Sequence, residues 1–256
     1  MNISKSSSRR NFLKHTAVFS AAVVAAPTIT YALPSDREKG GENATFLFEG
    51  DSITDGNRTR NQDWNHVLGH GYAYLIAAKL WFDLREKNFH FFNRGISGNT
   101  IPALTKRWQE DTIDIKPDIL SILIGVNDTT GAVYGNTAFT LQSFEDGYRA
   151  LLTQTRLALP GIELVIMEPF ILPVGKVKDR WDDYLREISG RQAVAKKIAE
   201  EFNAVFVPLQ ESFTKAAEDP SAIYWLWDGI HPMPNGHELI ARAWLKQVGK
   251  KLRYIR

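Results

Sequence analysis

The chain has 256 residues, with 31 Lys and Arg against 29 Asp and Glu, and a formal net charge of +2. A hydrophobic fraction of 44% is enough for the core of one domain of ordinary size, which excludes a wholly disordered chain. The chain contains no cysteine, so disulfides, cysteine-ligated metal sites, a thiol nucleophile and a lipidated N-terminal cysteine are all excluded.

The first 32 residues have the pattern of an export signal. They contain four basic residues and no acidic ones: Lys5, Arg9, Arg10 and Lys14. A short apolar run follows at residues 17–26, and Ala32 ends a stretch with the small residues typical of a signal peptidase site. Residues 8–14, which read Ser-Arg-Arg-Asn-Phe-Leu-Lys, resemble a twin-arginine signal of the kind that exports folded bacterial proteins. We therefore expect a periplasmic or secreted protein.

Removal of this signal changes the charge balance and therefore the expected partners. We predict a signal peptide at residues 1–32, a linker at 33–43 and one folded domain at 44–256. Without the four basic residues of the signal, 27 basic residues remain against 29 acidic ones, a net charge of −2. This balance gives no reason to expect a nucleic-acid partner. The apolar run at 17–26 is too short for a stable membrane anchor.

Short apolar segments rich in β-branched and aromatic residues recur along the domain. We predict five strands, at residues 45–49, 89–93, 119–124, 164–168 and 204–208. Segments that are apolar throughout, rather than alternating, indicate strands buried on both faces, as in a parallel sheet. Helical patterns separate them, with apolar residues on one face of two long helices: Leu185, Ile188, Ala195, Ile198 and Phe202, then Leu239, Ile240, Trp244, Val248 and Leu252. The alternation predicts an open, doubly wound α/β sheet.

Loop lengths indicate where a site should lie. Connections that lead into strands are short, whereas long loops follow three of the strands, at residues 50–70, 125–140 and 170–182. A further long connection spans residues 218–235, but a short helix-like segment separates it from the last predicted strand. Because the loops that leave parallel strands all lie at one edge of the sheet, we expect the functional site at this carboxyl edge.

Ser52 follows the first predicted strand in the segment Phe48-Glu49-Gly50-Asp51-Ser52-Ile53-Thr54-Asp55. A serine in this turn presents its hydroxyl at the carboxyl edge, where helix N–H groups favour developing negative charge. The segment differs from the G-x-S-x-G elbow, because no glycine lies two residues after Ser52. Taken alone, Ser52 fits a helix N-cap as well as a nucleophile.

Asp228 and His231 lie in the segment Trp227-Asp228-Gly229-Ile230-His231-Pro232 near the C-terminus. At this spacing the carboxylate can hold one imidazole nitrogen while the other takes a proton from a hydroxyl. A capping aspartate beside a surface histidine would give the same pattern. A metal site is less favoured, because no third ligand completes this pair, and His66 and His70 lie in a loop without helical pattern.

Two further segments contain neutral hydrogen-bond donors suited to an oxyanion. Gly98 lies in Asn93-Arg94-Gly95-Ile96-Ser97-Gly98-Asn99-Thr100 after the second strand, and Asn127 lies in Gly125-Val126-Asn127-Asp128 after the third. The backbone N–H of Gly98 and the amide of Asn127 are such donors. In isolation each residue also fits an ordinary turn.

Together the four segments resemble the SGNH (GDSL-type) hydrolase family, whose four blocks appear here in the family's order. The resemblance covers residues 45–248 and implies a three-layer α/β/α sandwich with a five-stranded parallel sheet. It implies Ser52 as nucleophile, His231 as general base and acid, and Asp228 as the residue that orients the imidazole. It also implies an oxyanion hole made by Ser52, Gly98 and Asn127. No metal or other cofactor is implied.

A narrower resemblance is to the acetylxylan-esterase-like branch of the same family. It rests on the first, second and fourth blocks, together with Arg107-Trp108 and Lys116-Pro117-Asp118. This branch removes acetyl groups from xylan or xylo-oligosaccharides, so we expect an acetylated oligo- or polysaccharide as substrate. A lysophospholipase, short-chain lipase or thioesterase of the same family is the alternative activity, and a non-catalytic sugar-binding protein the alternative class.

Aromatic residues in the long loops are candidate platforms for a sugar: Trp64, Tyr134, Trp181, Trp225 and Trp227. The loops also contain many charged side chains, which fits a sugar better than an acyl chain. From these and from the first block we take Asp51, Trp181 and Trp227 as predicted substrate contacts. The sequence is compatible with a homo-oligomer.

Overall fold

The computed structural model describes residues 41–61, 65–219 and 221–256. The predicted signal at residues 1–32, the linker as far as residue 40, and Trp64 lie outside these ranges. Within the three described ranges no helix is both long and apolar enough to cross a bilayer.

A single parallel sheet forms the centre of the fold. Its strands are β1 (Thr45–Gly50), β2 (His90–Asn93), β3 (Ile119–Leu123), β4 (Glu163–Met167) and β5 (Val205–Val207). The strands lie in the order β2-β1-β3-β4-β5, and every neighbouring pair is parallel. The five predicted strands are confirmed, and no strand end differs from its predicted position by more than one residue.

Helices connect the strands and cover both faces of the sheet. In chain order they are α1 (Ser52–Asp55), α2 (Tyr72–Asp83), α3 (Ile101–Trp108), α4 (Val126–Val133), α5 (Leu141–Ala158), α6 (Gly175–Lys178), α7 (Trp181–Glu201), α8 (Gln210–Ala216), α9 (Ala222–Trp225) and α10 (Pro234–Lys251). A π-helical turn, Gln109–Ile113, extends α3, and short 3-10 turns lie at Arg85–Lys87 and Arg253–Ile255.

The two faces of the sheet have separate cores. Phe46 and Phe48 of β1 point to one side, where they pack with α2 and α10 around the buried Trp244. Leu47 of the same strand points to the other side, among buried residues of α3, α5 and α7. Since successive strand residues point to opposite faces, burial on both sides requires the apolar runs seen in the sequence. The predicted α/β/α sandwich is confirmed.

Local expectations differ from the structure in two ways. The four long connections predicted to be loops, at residues 50–70, 125–140, 170–182 and 218–235, contain the short helices α1, α4, α6 and α9. In α4 most residues have low helix propensity, and the hydroxyls of Thr129 and Thr130 donate to carbonyls one turn earlier in the chain. Leu185 is 43% exposed, because the buried stripe of α7 runs through its neighbour Tyr184 and through Ile188.

Candidate active site

Ser52 lies where β1 turns into α1, at the carboxyl edge of the sheet. β1 ends at Gly50, and Ser52 is the first residue of α1. A Cβ on Gly50 would lie 2.4 Å from the Leu123 carbonyl oxygen of β3, so the tight passage between the two strands requires glycine. The turn leaves the half-buried Ser52 side chain facing the loop that follows α9.

Ser52, His231 and Asp228 form a continuous hydrogen-bonded chain. Ser52 Oγ lies 2.8 Å from His231 Nε2, and His231 Nδ1 lies 2.8 Å from Asp228 Oδ2. The other carboxylate oxygen of Asp228 accepts the backbone N–H groups of Ile230 (3.0 Å) and His231 (2.8 Å). Gly229 between them has φ +89°, a conformation that favours glycine. The structure therefore brings together the three residues that were predicted to be catalytic.

Lys176 contacts the Ser52–His231–Asp228 chain, a contact that the sequence did not predict. Its Nζ lies 2.9 Å from Asp228 Oδ2, the same oxygen that His231 contacts. Burial would raise the pKa of Asp228, but hydrogen bonds from His231, Lys176 and Ile230 hold it well below the usual range. Asp228 is therefore a fixed carboxylate at neutral pH, able to stabilise a protonated His231.

The position of Lys176 follows from close packing of two loops. Gly175 lies against the backbone of Asp228, and a Cβ at Gly175 would approach the Asp228 Cα to 2.5 Å. Leu172 N–H also donates to the Gly229 carbonyl at 3.0 Å. In the sequence, the feature that could have indicated this contact is the Gly175-Lys176 pair in a long connection. Nothing in the sequence alone indicates that this connection packs against residues 228–231.

Gly98 and Asn127 follow the two strands that flank β1, so the loops that contain them lie on either side of Ser52. Ile96 N–H donates to the Gly50 carbonyl at 3.1 Å, which extends the pairing of β1 and β2 toward Gly98. Gly98 has φ +81°. Asn127 lies in the first turn of α4, and its Nδ2 donates to the Asn99 carbonyl at 3.0 Å, which leaves a second amide hydrogen available.

Asp51 has a different position from the one predicted. It is 1% exposed, and its Oδ1 accepts the Ile53 N–H at 3.0 Å as the N-cap of α1. Burial raises its pKa to about 7. We therefore correct the expected substrate contact: the Asp51 carboxyl is covered by protein and stabilises the turn that presents Ser52.

The candidate aromatic platforms divide into exposed and packed residues. Trp227 is 57% exposed and stacks on His231, with ring centroids 6.1 Å apart and an interplanar angle of 22°. Tyr134 is also exposed, and the Arg180 guanidinium lies 5.1 Å from its ring centroid. Trp181 and Trp225 are partly buried against the hydrophobic core. Among these four described residues, Trp227 has a ring contact with His231.

The residues that the structure describes include no group of three or more His, Asp or Glu side chains able to hold a metal ion. The chemistry of the arrangement around Ser52 is that of a hydroxyl nucleophile with an imidazole base, a carboxylate and neutral donors.

One buried histidine is expected to make the fold sensitive to acid. His237 lies on α10, and its Nδ1 accepts the Tyr72 N–H at 3.2 Å, as a neutral ring does. Burial, with smaller effects of His70 and His231, lowers the pKa of His237 to about 4. The stability that the neutral ring contributes is present above pH 6.5 and is lost as the pH falls through about 4.

We expect the free energy of unfolding to fall by up to about 3 kcal/mol over this window because of His237. In the variant His237→Asn, whose Oδ1 can still accept the Tyr72 N–H, the fall should be smaller. Urea denaturation at several pH values measures it, with His90→Asn, an exposed histidine on β2, as the control. Equal pH dependence in His237→Asn and wild type would contradict this assignment.

Comparison with known proteins identifies the family. The model of the GDSL-like lipase/acylhydrolase family matches residues 48–239, a segment that includes Ser52, Gly98, Asn127, Asp228 and His231. An acetylxylan esterase from Geobacillus stearothermophilus is 34% identical over 217 residues, which cover 82% of this chain and 96% of the relative.

Solved structures agree with the sequence match. A GDSL-like lipase from Parabacteroides merdae superposes with a TM-score of 0.78 at 36% identity, covering 81% of this chain and 96% of that one. The structure of the Geobacillus stearothermophilus acetylxylan esterase gives a TM-score of 0.73 at 33% identity, covering 82% of this chain and 96% of that one. The chain therefore belongs to the GDSL-like lipase/acylhydrolase family and is a carboxylic ester hydrolase, as its four sequence blocks predict.

Proposed function

We propose that this chain is a serine acetylesterase that removes O-acetyl groups from carbohydrate of the xylan or xylo-oligosaccharide type. The observation that carries the proposal is the chain of two 2.8 Å contacts from Ser52 through His231 to Asp228. A hydroxyl, an imidazole and a carboxylate in this order are the parts of an acyl-enzyme mechanism.

In the first half of the reaction the ester is cleaved. His231 Nε2 takes the Ser52 proton while Oγ forms a bond to the acetyl carbonyl carbon, whose C=O electron pair moves onto oxygen. When this oxyanion collapses, the C=O bond re-forms and the bond to the sugar oxygen breaks. The proton held by His231 then passes to the sugar oxygen, and the sugar leaves with a free hydroxyl. The acetyl group remains bound to Ser52 Oγ.

In the second half, water repeats the sequence. His231 takes a proton from water as the water oxygen attacks the acetyl carbon. When the bond to Ser52 Oγ breaks, this proton returns to Oγ, and acetic acid leaves and ionises to acetate in solution. Asp228 stays ionised throughout and stabilises the imidazolium that forms in each half, which its lowered pKa favours.

The oxyanion of both halves requires neutral donors, and we assign them to the N–H groups of Ser52 and Gly98 and to the free amide hydrogen of Asn127. Asn127→Ala is expected to lower kcat by about 10²–10³-fold, with little change in KM, because this donor acts mainly in the transition state. Steady-state hydrolysis of p-nitrophenyl acetate measures both constants.

Asn136→Ala, in the loop after α4, is the matched control because it removes an exposed amide from the same connection. We expect wild-type constants for this control. A wild-type kcat in Asn127→Ala would remove Asn127 from the oxyanion hole.

The substrate assignment is supported by the surroundings of His231. The exposed Trp227 ring offers an apolar face of the kind on which sugars stack. Lys176 lies in α6, and Arg180 is the N-cap of α7. The surroundings of His231 therefore combine an aromatic face with charged groups. The relative from Geobacillus stearothermophilus is described as an acetylxylan esterase, which supports the same substrate class.

The test is acetate release from acetylated xylan, acetylated xylo-oligosaccharides, acetylated pectin and simple sugar acetates, with Ser52→Ala as the control for spontaneous hydrolysis. We expect the highest kcat/KM on the xylo-oligosaccharides. On p-nitrophenyl esters we expect kcat/KM to fall as the acyl chain lengthens from acetate. A rise toward long chains would favour a lipase or lysophospholipase activity of the same family.

A further inference from the structure

The turn that contains Gly98 is held from its two ends. Gly98 is exposed, and a Cβ at this position would meet no atom within 4 Å, so packing does not fix it. On one side, Ser97 donates its N–H (3.0 Å) and its hydroxyl (3.1 Å) to Asp55 Oδ2. On the other side, Asn99 Oδ1 accepts from Arg107 Nε at 2.8 Å. These two side-chain anchors add to the backbone bonds of the turn, in which Ile96 N–H donates to the Gly50 carbonyl and Asn99 N–H to the Ile96 carbonyl, each at 3.1 Å.

Asn99 is also the residue that holds the Asn127 amide. Its backbone carbonyl accepts from Asn127 Nδ2 at 3.0 Å. That bond uses one amide hydrogen and directs the other. The same residue thus touches both loops that supply the assigned oxyanion donors: it follows Gly98 in the chain and it hydrogen-bonds Asn127. Movement of Asn99 would displace both donors together.

Arg107 is fixed more firmly than an ordinary surface arginine. Its side chain is 14% exposed, and its Nη2 lies 2.8 Å from Oε2 of Glu49, a fully buried residue of β1. Its Nη1 lies 2.7 Å from Asp111 Oδ2. The guanidinium therefore makes separate contacts with β1, with the π-helical turn after α3 and with Asn99, and its planar shape fixes the angles between them.

The geometry points to Arg107 as a positioning residue for the oxyanion hole, which acts through Asn99 on the Gly98 turn and the Asn127 amide. This inference rests on the proposed function, since it assigns a role in the same reaction. Arg107 does not touch the reacting atoms. It links the end of β1, three residues before Ser52, to the two neighbouring loops, so that nucleophile and donors share one rigid support.

The three partners of Arg107 favour a guanidinium over an ammonium group at position 107. Burial raises the pKa of Glu49 to about 8, and the charge and hydrogen bonds of Arg107 oppose this rise. A lysine at position 107 would keep a positive charge beside Glu49, but one ammonium group cannot reach Glu49, Asp111 and Asn99 with the fixed spacing of a fork. Arg107→Lys therefore separates the positioning role from the loss of a buried charge.

The test uses Arg107→Lys, Asn99→Ala and the double variant in the whole protein, with p-nitrophenyl acetate as substrate. Each single variant should lower kcat by about 10- to 100-fold with KM nearly unchanged, less than the full loss of a donor. Because Arg107 acts through Asn99, kcat of the double variant should be no lower than that of the less active single variant. Lys106→Met, which removes an exposed charge from the same helix, should behave as wild type.

A second measurement does not depend on ester turnover. The side-chain amide of Asn127, identified by NMR through its absence in Asn127→Ala, should shift or broaden in Arg107→Lys and in Asn99→Ala but not in Lys106→Met. An unchanged amide signal or independent, multiplicative losses of kcat would overturn the inference, while an active wild type would leave the proposed function intact. An inactive wild type would contradict the proposed function, and the NMR comparison would still test the role of Arg107.

Discussion

Replacement of Ser52 by alanine is expected to lower kcat on p-nitrophenyl acetate by about 10⁴-fold or more. Without Oγ, no bond to the acetyl carbon can form, and His231 Nε2 loses the group that lies 2.8 Å away from it. Only the oxyanion donors and substrate binding would then remain to accelerate attack by water. Initial rates at high enzyme concentration, with the background reaction subtracted, measure the residual activity.

Ser189→Ala is a suitable control for this substitution. Ser189 is exposed on α7, and its hydroxyl donates to the Leu185 carbonyl at 2.6 Å, far along the chain from the catalytic segments. Its kcat should equal that of wild type. A Ser52→Ala variant with a substantial part of wild-type kcat would mean that another group is the nucleophile.

Asp228→Asn should have the second-largest effect, a loss of about 10⁴-fold in kcat, by analogy with the same change in a serine protease triad. The asparagine oxygen can still accept the Ile230 and His231 N–H groups, so the loop should keep its shape. The amide nitrogen would face His231 Nδ1 and Lys176 Nζ, both of which now contact Asp228 Oδ2. It would favour the wrong imidazole tautomer and leave the imidazolium without its counter-charge.

The expected signature is a large fall in kcat in a protein that stays folded at the assay temperature, with some loss of stability because Lys176 and His231 lose their carboxylate partner. Asp179→Asn, an exposed acid just after α6, is the matched control for loss of one negative charge from the neighbouring loop. It should keep wild-type kcat. If Asp228→Asn retained most of its activity at neutral pH, the carboxylate would not be the group that supports His231.

The fold could be predicted from the sequence because the central strands are buried on both faces. Residues such as Phe46, Leu47 and Phe48 are apolar in succession since each faces one of two cores. Helix α4 could not be predicted in this way. Its eight residues include Asn, Asp, Gly and two Thr, which have low helix propensity, and its helical state depends on packing, with Val126 and Val133 both buried.

The candidate site was predictable in its reacting groups and less so in its support. Ser52 directly follows β1, so the parallel sheet places it at the carboxyl edge. Asp228 and His231 stand in a short motif, but their position beside Ser52 depends on how the segment between α9 and α10 packs. The contact of Lys176 with Asp228 leaves no local pattern, because it depends on how two distant segments pack. The bond of Arg107 to Asn99 is local, but its link to the buried Glu49 of β1 depends on the packing of α3. Asp51 belongs to the same motif as Ser52, yet its burial makes it a helix cap. The export signal at residues 1–32 remains a prediction from the sequence.

If Ser52 is the nucleophile that carries the acyl group, a serine-directed fluorophosphonate should react with it in the folded protein. Peptide mass spectrometry should then find one adduct, located on Ser52 and formed together with loss of esterase activity. The adduct should be absent in Ser52→Ala and should form much more slowly in His231→Ala. Loss of activity with the adduct on another residue, or an active protein that forms no adduct on Ser52, would contradict the role of Ser52 as nucleophile.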